Sequence, residues 1–225
     1  MKTKRLKFLF LALLFLSFIM ISFPKNTEIR AGIIIDQERS FQVEEWEKGL
    51  NIRQPPVKIM DAIGLKQGMS VGEVGAGTGR MTMWLADRVG ESGMVYANDI
   101  DRSALDHLKR RCRRDGFKNV EMIVGDMNNP GFPSDSLDIA FMINVYHHLA
   151  DPVSILRNLR PCLKPDSVLA IVECDPDKVD WGDEHGCAQK EDMIKTLKKA
   201  GFEVVRIETF LDEDSLYIAR RIISF

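Results

Sequence analysis

Val71-Gly72-Glu73-Val74-Gly75-Ala76-Gly77-Thr78-Gly79-Arg80 reads as an apolar strand that ends in an acidic residue and three glycines at alternate positions. Glycines at that spacing let the backbone turn tightly and approach a ligand with no Cβ in the way. The helix that follows offers free N–H groups at its start. The next strand, Met94-Val95-Tyr96-Ala97-Asn98-Asp99, carries a carboxylate at its tip. Together they describe a site for a nucleoside-containing cofactor on a doubly wound α/β sheet. The dinucleotide fingerprint G-x-G-x-x-G does not match the spacing found here.

On both sides of this stretch the chain alternates strand and helix. Strands are expected at Ser70–Val74, Met94–Asn98, Val120–Val124, Leu137–Ile143 and Ser167–Glu173. One helix carries Met81, Trp84, Leu85 and Val89 and stops at Gly90; another starts near Asp101 and ends at Gly116. Asp151-Pro152 supplies an N-cap and a proline for the first helical turn. A last helix near Lys190–Ala200 leads to strands Phe202–Thr209 and Ser215–Ile222, separated by the acidic turn Asp212-Glu213-Asp214. The expected fold is α/β: a Rossmann-like, seven-stranded, mostly parallel sheet with a C-terminal antiparallel hairpin strand. Upstream, Gln54-Pro55-Pro56 breaks the chain before a helix with Val57, Ile59, Met60 and Ile63. Phe41, Trp46 and Leu50 suggest a short amphipathic helix before that break.

Order and spacing resemble the class I S-adenosylmethionine (SAM) methyltransferases, in particular the small-molecule branch near the quinone-biosynthesis C-methyltransferases. The resemblance covers about residues 54–222. It rests on the Glu73-to-Gly79 loop, Asp99, Asp126, the segment Asn144-Val145-Tyr146-His147-His148-Leu149-Ala150-Asp151-Pro152, and Leu163-Lys164-Pro165-Asp166. Asp166-Ser167 departs from the Pro-Gly-Gly turn usual there. The resemblance implies SAM as cofactor, held by Glu73, Gly75, Ala76, Gly77, Gly79, Asp99, Ile100, Asp126, Met127 and Asn144. Asp99 would accept from the two ribose hydroxyls, a role that suits two acceptor oxygens; Asp101 is better explained as a helix cap. Asp126 would accept from the adenine amino group, with Met127 against the ring. Asn144 would lie near the sulfonium, and Tyr146, His147 and His148 would face the acceptor. Two adjacent histidines are expected to point in different directions. His147, His148 and His185 are candidate bases, since imidazole titrates near neutral pH. Glu173, Cys174 and Asp175, at the tip of strand five, lie where related enzymes line an acceptor pocket.

Composition narrows the partners. A net charge of −2 from 31 basic and 33 acidic residues gives no nucleic-acid footprint. The cluster Lys109-Arg110-Arg111-Cys112-Arg113-Arg114 reads as a solvated helix face. Cysteines 112, 162, 174 and 187 show no metal-ligand spacing and read as ordinary free thiols, largely buried. The expected acceptor is a small or lipid-soluble molecule. Residues 1–23 hold four basic residues and then the apolar run Phe8–Phe23, which fits a signal anchor or a cleaved signal peptide. Residues 24–53 then form a linker and N-terminal helix, and 54–225 the methyltransferase domain. The leader would place the domain at or beyond a membrane, where SAM would have to be supplied. Three other readings remain open on the residues alone: a non-catalytic SAM-binding or partner protein, a nucleotide-dependent oxidoreductase, and a membrane-tethered structural domain.

Overall fold

The computed structural model describes residues 41–179 and 186–222. The leader of residues 1–23 and His185 lie outside the described residues. A single sheet runs in the order β3-β2-β1-β4-β5-β7-β6. Its strands are β1 (Ser70–Val74), β2 (Met94–Asp99), β3 (Val120–Val124), β4 (Leu137–Ile143), β5 (Leu163–Cys174), β6 (Phe202–Glu208) and β7 (Asp214–Arg221). The first five are parallel; β7 runs antiparallel to both β5 and β6, between them. The hairpin expected at the C-terminus therefore inserts its second strand into the sheet and leaves β6 at the edge.

Helices cover both faces, as parallel strands buried on both sides require. In chain order they are α1 (Glu45–Arg53), α2 (Pro56–Ala62), α3 (Arg80–Val89), α4 (Arg102–Asp115), α5 (Pro152–Leu159) and α6 (Lys190–Lys199). One core packs Met81, Leu85, Val89, Leu105 and Leu108 against Val71, Val95 and Phe141. The other packs Ile155, Leu156, Met193 and Leu197 against Ala140, Leu169 and Tyr217. The caps read from sequence form: Asp101 accepts from the Ser103 N–H and Asp151 from the Ser154 N–H. Where the Pro-Gly-Gly turn is replaced, β5 starts early at Leu163, and the β4 pairing slips between Leu137 and Ile139. Ser167 Oγ closes that irregularity on the Lys164 carbonyl at 2.6 Å.

Two expectations fail at α1. Its inward residue is not apolar. Trp46 is 52% exposed, Phe41 lies ahead of the helix in the core, and the side chain driven inward is Glu47. Its partner is Arg111, one of the cations expected on a solvated face and instead buried. Arg111 donates to Glu47 Oε1 at 2.6 Å and Oε2 at 3.1 Å, and to the Thr78 carbonyl in the glycine loop at 3.0 Å. The planar guanidinium meets a carboxylate and a carbonyl at once, which lysine could not do in the same way. Removing one partner from such a buried pair typically costs about 3–5 kcal/mol. This pair fixes α1 over the C-terminal tips of the strands.

Cys112 and Cys162 are free and buried, as expected. Cys174 and Cys187 are not free thiols: they form a disulfide between the tip of β5 and the segment before α6. Nothing in their spacing along the sequence marked them as neighbours. The strand tip and the lead-in to α6 meet only when the sheet forms.

Candidate active site

The chain reverses direction across the sheet between β1 and β4, since β2 and β3 lie on one side and β5 on the other. Ligands in open α/β sheets bind beyond the strand tips at such a switch point. Two depressions meet there. One, of about 300 Å³, is a groove lined by Val74, Gly75, Asn98, Asp99, Ile100, Asp126, Met127, Asn144, Val145 and His148, among others. The other, of about 430 Å³, is a cleft lined by Leu50, Arg53, Gln54, Asn144, His147, His148, Glu173, Cys174, Glu213 and Asp214. Asn144 and His148 line both.

The groove is shaped by backbone demands that only particular residues meet. Gly75 has φ +72°, and a Cβ there would stand 2.3 Å from Val145. Gly79, φ +93°, would bring a Cβ 2.3 Å from Leu108. Asn144 takes a left-handed conformation too, φ +55°, a strained choice for a residue with a side chain and one that clusters at functional sites. Asp99 ties the groove together: Oδ2 accepts from Gly77 N–H at 2.7 Å and Oδ1 from Asp101 N–H at 2.9 Å. Ala76 N–H donates to the Asn98 carbonyl at 2.8 Å. Among the described residues nothing lies within 4 Å of where a Cβ on Gly77 would stand, so that side of the loop is open to them. Ile100 and Met127 are exposed apolar side chains on the groove wall. A glycine loop that a ligand can approach closely, a carboxylate at the tip of β2 and exposed apolar flanks suit a nucleoside joined to an amino acid. Asp126 lines the groove but also makes its own turn, with Oδ1 accepting from Asn128 and Asn129 N–H.

Glu73 sits beneath the loop, buried, with Thr82 Oγ 2.5 Å from Oε2. Burial pushes its carboxyl up to about 7, against the Thr82 hydrogen bond and the Arg80 charge. Arg80 opens α3 and is buried in turn. Its Nη2 donates to Gln54 Oε1 at 2.7 Å. That bond identifies the oxygen of the Gln54 amide, so Gln54 Nε2 is the donor to Asn144 Oδ1 and to Asp214 Oδ2, both at 2.9 Å. A polar chain thus runs from beneath the glycine loop to the floor of the cleft. Burial raises the Asp214 carboxyl above the usual carboxylate range, and the nearby Glu173 and Glu213 add to this.

In the cleft, Glu173 is fully buried and accepts throughout: Oε1 from Cys174 N–H at 3.0 Å, Oε2 from His147 N–H at 3.3 Å. Oε1 also lies 2.7 Å from His147 Nδ1. With the carboxylate accepting, Nδ1 carries the proton and Nε2 keeps its lone pair, the tautomer a general base needs. His147 and His148 lie in a short 3-10 turn, Tyr146–His148, with ring centroids 3.9 Å apart. Both border the cleft, with their ring planes tilted by 51°. Tyr146 does not; it is buried in the core, its hydroxyl bonded to Thr196. Gln54, Arg53 and Asp214 were not singled out from sequence. Gln54 read as part of a chain break and Asp214 as part of a turn.

The raised Glu73 carboxyl makes stability depend on pH. Its neutral form is favoured in the fold, so its contribution is full below about 4.5 and is lost as the pH rises past about 7. Glu73→Gln, which cannot ionise, is expected to flatten the denaturant-unfolding stability curve across that window. The wild-type loss it removes is at most about 3 kcal/mol, at about 1.4 kcal/mol per pH unit. An unchanged slope in the variant contradicts this account of Glu73.

Comparison with known proteins agrees with this geometry. The model of the family described as "Methyltransferase domain" matches residues 65–215. A SAM-dependent methyltransferase from Aquifex aeolicus superimposes with a TM-score of 0.71 at 28% identity, over 77% of this chain and 94% of that one. The [4+2]-cyclase SpnF shares the fold, with a TM-score of 0.65 at 16% identity, over 76% of this chain and 81% of that one. Among curated proteins, the demethylmenaquinone methyltransferase of Bacillus velezensis is 24% identical over 52% of this chain and 50% of its own length. The ubiquinone/menaquinone biosynthesis C-methyltransferase UbiE of Vibrio vulnificus is 30% identical over 51% and 44%. The chain spans about half the length of these curated relatives. With a family match over most of the chain, a seven-stranded sheet of matching topology and a groove suited to SAM, the chain belongs to the SAM-dependent methyltransferase family.

Proposed function

We propose that this protein transfers the methyl group of SAM to a small-molecule acceptor seated in the cleft beside the cofactor groove. The observation that carries this reading is the meeting of groove and cleft at the strained Asn144. Asp99, the Gly75–Gly79 loop, Met127 and Asn144 would hold SAM, which supplies a methyl group on a positively charged sulfonium. The chain's share of the work is alignment and exclusion of water. Where the acceptor must lose a proton, His147 Nε2 takes it, with Glu173 holding the ring and balancing the imidazolium charge. Curated relatives named for quinone methylation support a small-molecule acceptor in general terms.

Calorimetric titration of SAM into the full chain tests the cofactor half. Asp99→Ala is expected to weaken binding about tenfold or more, as loss of hydrogen bonds to a charged acceptor should. On an acceptor found by release of S-adenosylhomocysteine, His147→Ala is expected to lower kcat about a hundredfold or more with SAM affinity unchanged. A well-folded protein that does not bind SAM refutes the proposal.

We also propose that the domain works in an oxidising compartment, exported by the leader of residues 1–23. The Cys174–Cys187 disulfide supports this, because such bonds persist outside the reducing cytoplasm. Among the described residues no helix is long and apolar enough to cross a membrane. Alkylation of thiols in freshly lysed cells should leave Cys174 and Cys187 unmodified until a reductant is added. Modification of both without reductant contradicts export.

A further inference from the structure

The walls of the acceptor cleft are unusual for a lipid-soluble substrate. Among the described residues Leu50 is the aliphatic side chain on them; the others are carboxylates, amides, imidazoles, an arginine and a cystine sulfur. A long apolar tail would desolvate these polar groups without offering them a further hydrogen-bond partner. The charges do not balance either. Arg53 is taken by Glu213 at 2.5 Å. Asp214, 4% exposed, has the neutral Gln54 amide as its side-chain donor. Glu173, fully buried, has His147 and two backbone N–H groups. Lys178 reaches the carbonyl oxygen of Asp214 and not its carboxylate. Among the described residues no lysine or arginine makes an ion pair with the carboxylate of Asp214 or Glu173.

From this geometry we infer that the acceptor is a small amine, bound as its ammonium ion between Asp214 and Glu173 and methylated on nitrogen. The inference rests on the methyltransferase reading above and names the substrate class of the same site. A cation there stands between two buried carboxylates that have no lysine or arginine at ion-pair distance among the described residues, Arg53 and Arg80 acting on Asp214 as more distant charges, and hydrogen bonds between ionised groups are the strong ones. Burial first, and then the neighbouring Glu173 and Glu213 charges, raise the Asp214 carboxyl, and a bound cation would relieve both. His147, bordering the cleft beside Glu173, then has a proton to remove. The ammonium gives one N–H proton to Nε2, and the freed lone pair attacks the methyl carbon of SAM. The C–N bond forms as the C–S bond breaks; the sulfur keeps the bonding pair and leaves as neutral S-adenosylhomocysteine. The positive charge passes from sulfur to the methylated nitrogen, and the imidazolium returns its proton to solvent. Atoms and charge balance without an oxidant, reductant or metal.

The test compares matched probes on the full, disulfide-intact chain loaded with S-adenosylhomocysteine. Methyl-, propyl- and phenethylammonium are titrated beside methanol, propanol and phenethyl alcohol near neutral pH. At least one ammonium ion is expected to bind about tenfold or more tightly than its alcohol, with the preference abolished in Asp214→Asn. Equal binding within every pair, or no ammonium binding, overturns the amine assignment, and this wild-type contrast decides even if the variant fails to fold. If Asp214→Asn weakens SAM and leaves ammonium binding intact, Asp214 serves the cofactor and the inference fails. SAM titration on the same sample separates the two levels. SAM binding without an ammonium preference sinks the acceptor class alone, whereas absence of SAM binding sinks the methyltransferase reading itself.

Discussion

The crevice between β1 and β4 is the constraint from which the site follows. A chain that places β2 and β3 on one side of β1 and then crosses to add β4 and β5 on the other must send its loops apart at that point. The parting opens space above the two strand tips. Gly75 and Asn144 stand on either side of it, and both adopt left-handed backbone conformations to turn the chain away. The groove and the cleft open from this point, and Asn144 lines both.

The tips are then roofed by polar contacts rather than apolar ones. Arg111 ties Glu47 of α1 to the Thr78 carbonyl, and Arg80 ties Gln54 to the start of α3. Gln54 passes the connection to Asn144 and Asp214. Desolvating so many charged groups is costly, and the same contacts could be replaced by apolar packing at little loss of stability. What apolar packing would not do is hold an amide and two carboxylates in fixed orientation around a shared opening. The buried polar network costs stability and provides a defined geometry at the place where a methyl group would change hands.

Legibility in the sequence followed the range of the interaction. Glycines at 75, 77 and 79, the Asp101 and Asp151 caps and the strand patterns are local features, and each appears where its neighbours predict it. Glu47 with Arg111, Gln54 with Asp214 and Cys174 with Cys187 become partners only through the fold. Local rules gave each of them a plausible but different place: a helix face, a solvated cation, a chain break, an acidic turn, a free thiol. The two histidines illustrate the same limit. Adjacent side chains diverge in a strand, yet at the 3-10 turn Tyr146–His148 both imidazoles border the cleft, their planes tilted by 51°. The contact of His147 with Glu173 depends on the pairing of β4 with β5.

The most direct test of the account is a crystal structure of the protein with S-adenosylhomocysteine bound. The account predicts adenosine in the groove between Asp99 and Met127, with the sulfur beside Asn144 and facing the cleft that holds His147 and Asp214. A ligand whose sulfur faces away from that cleft, or one bound outside the β1–β4 crevice, would contradict it.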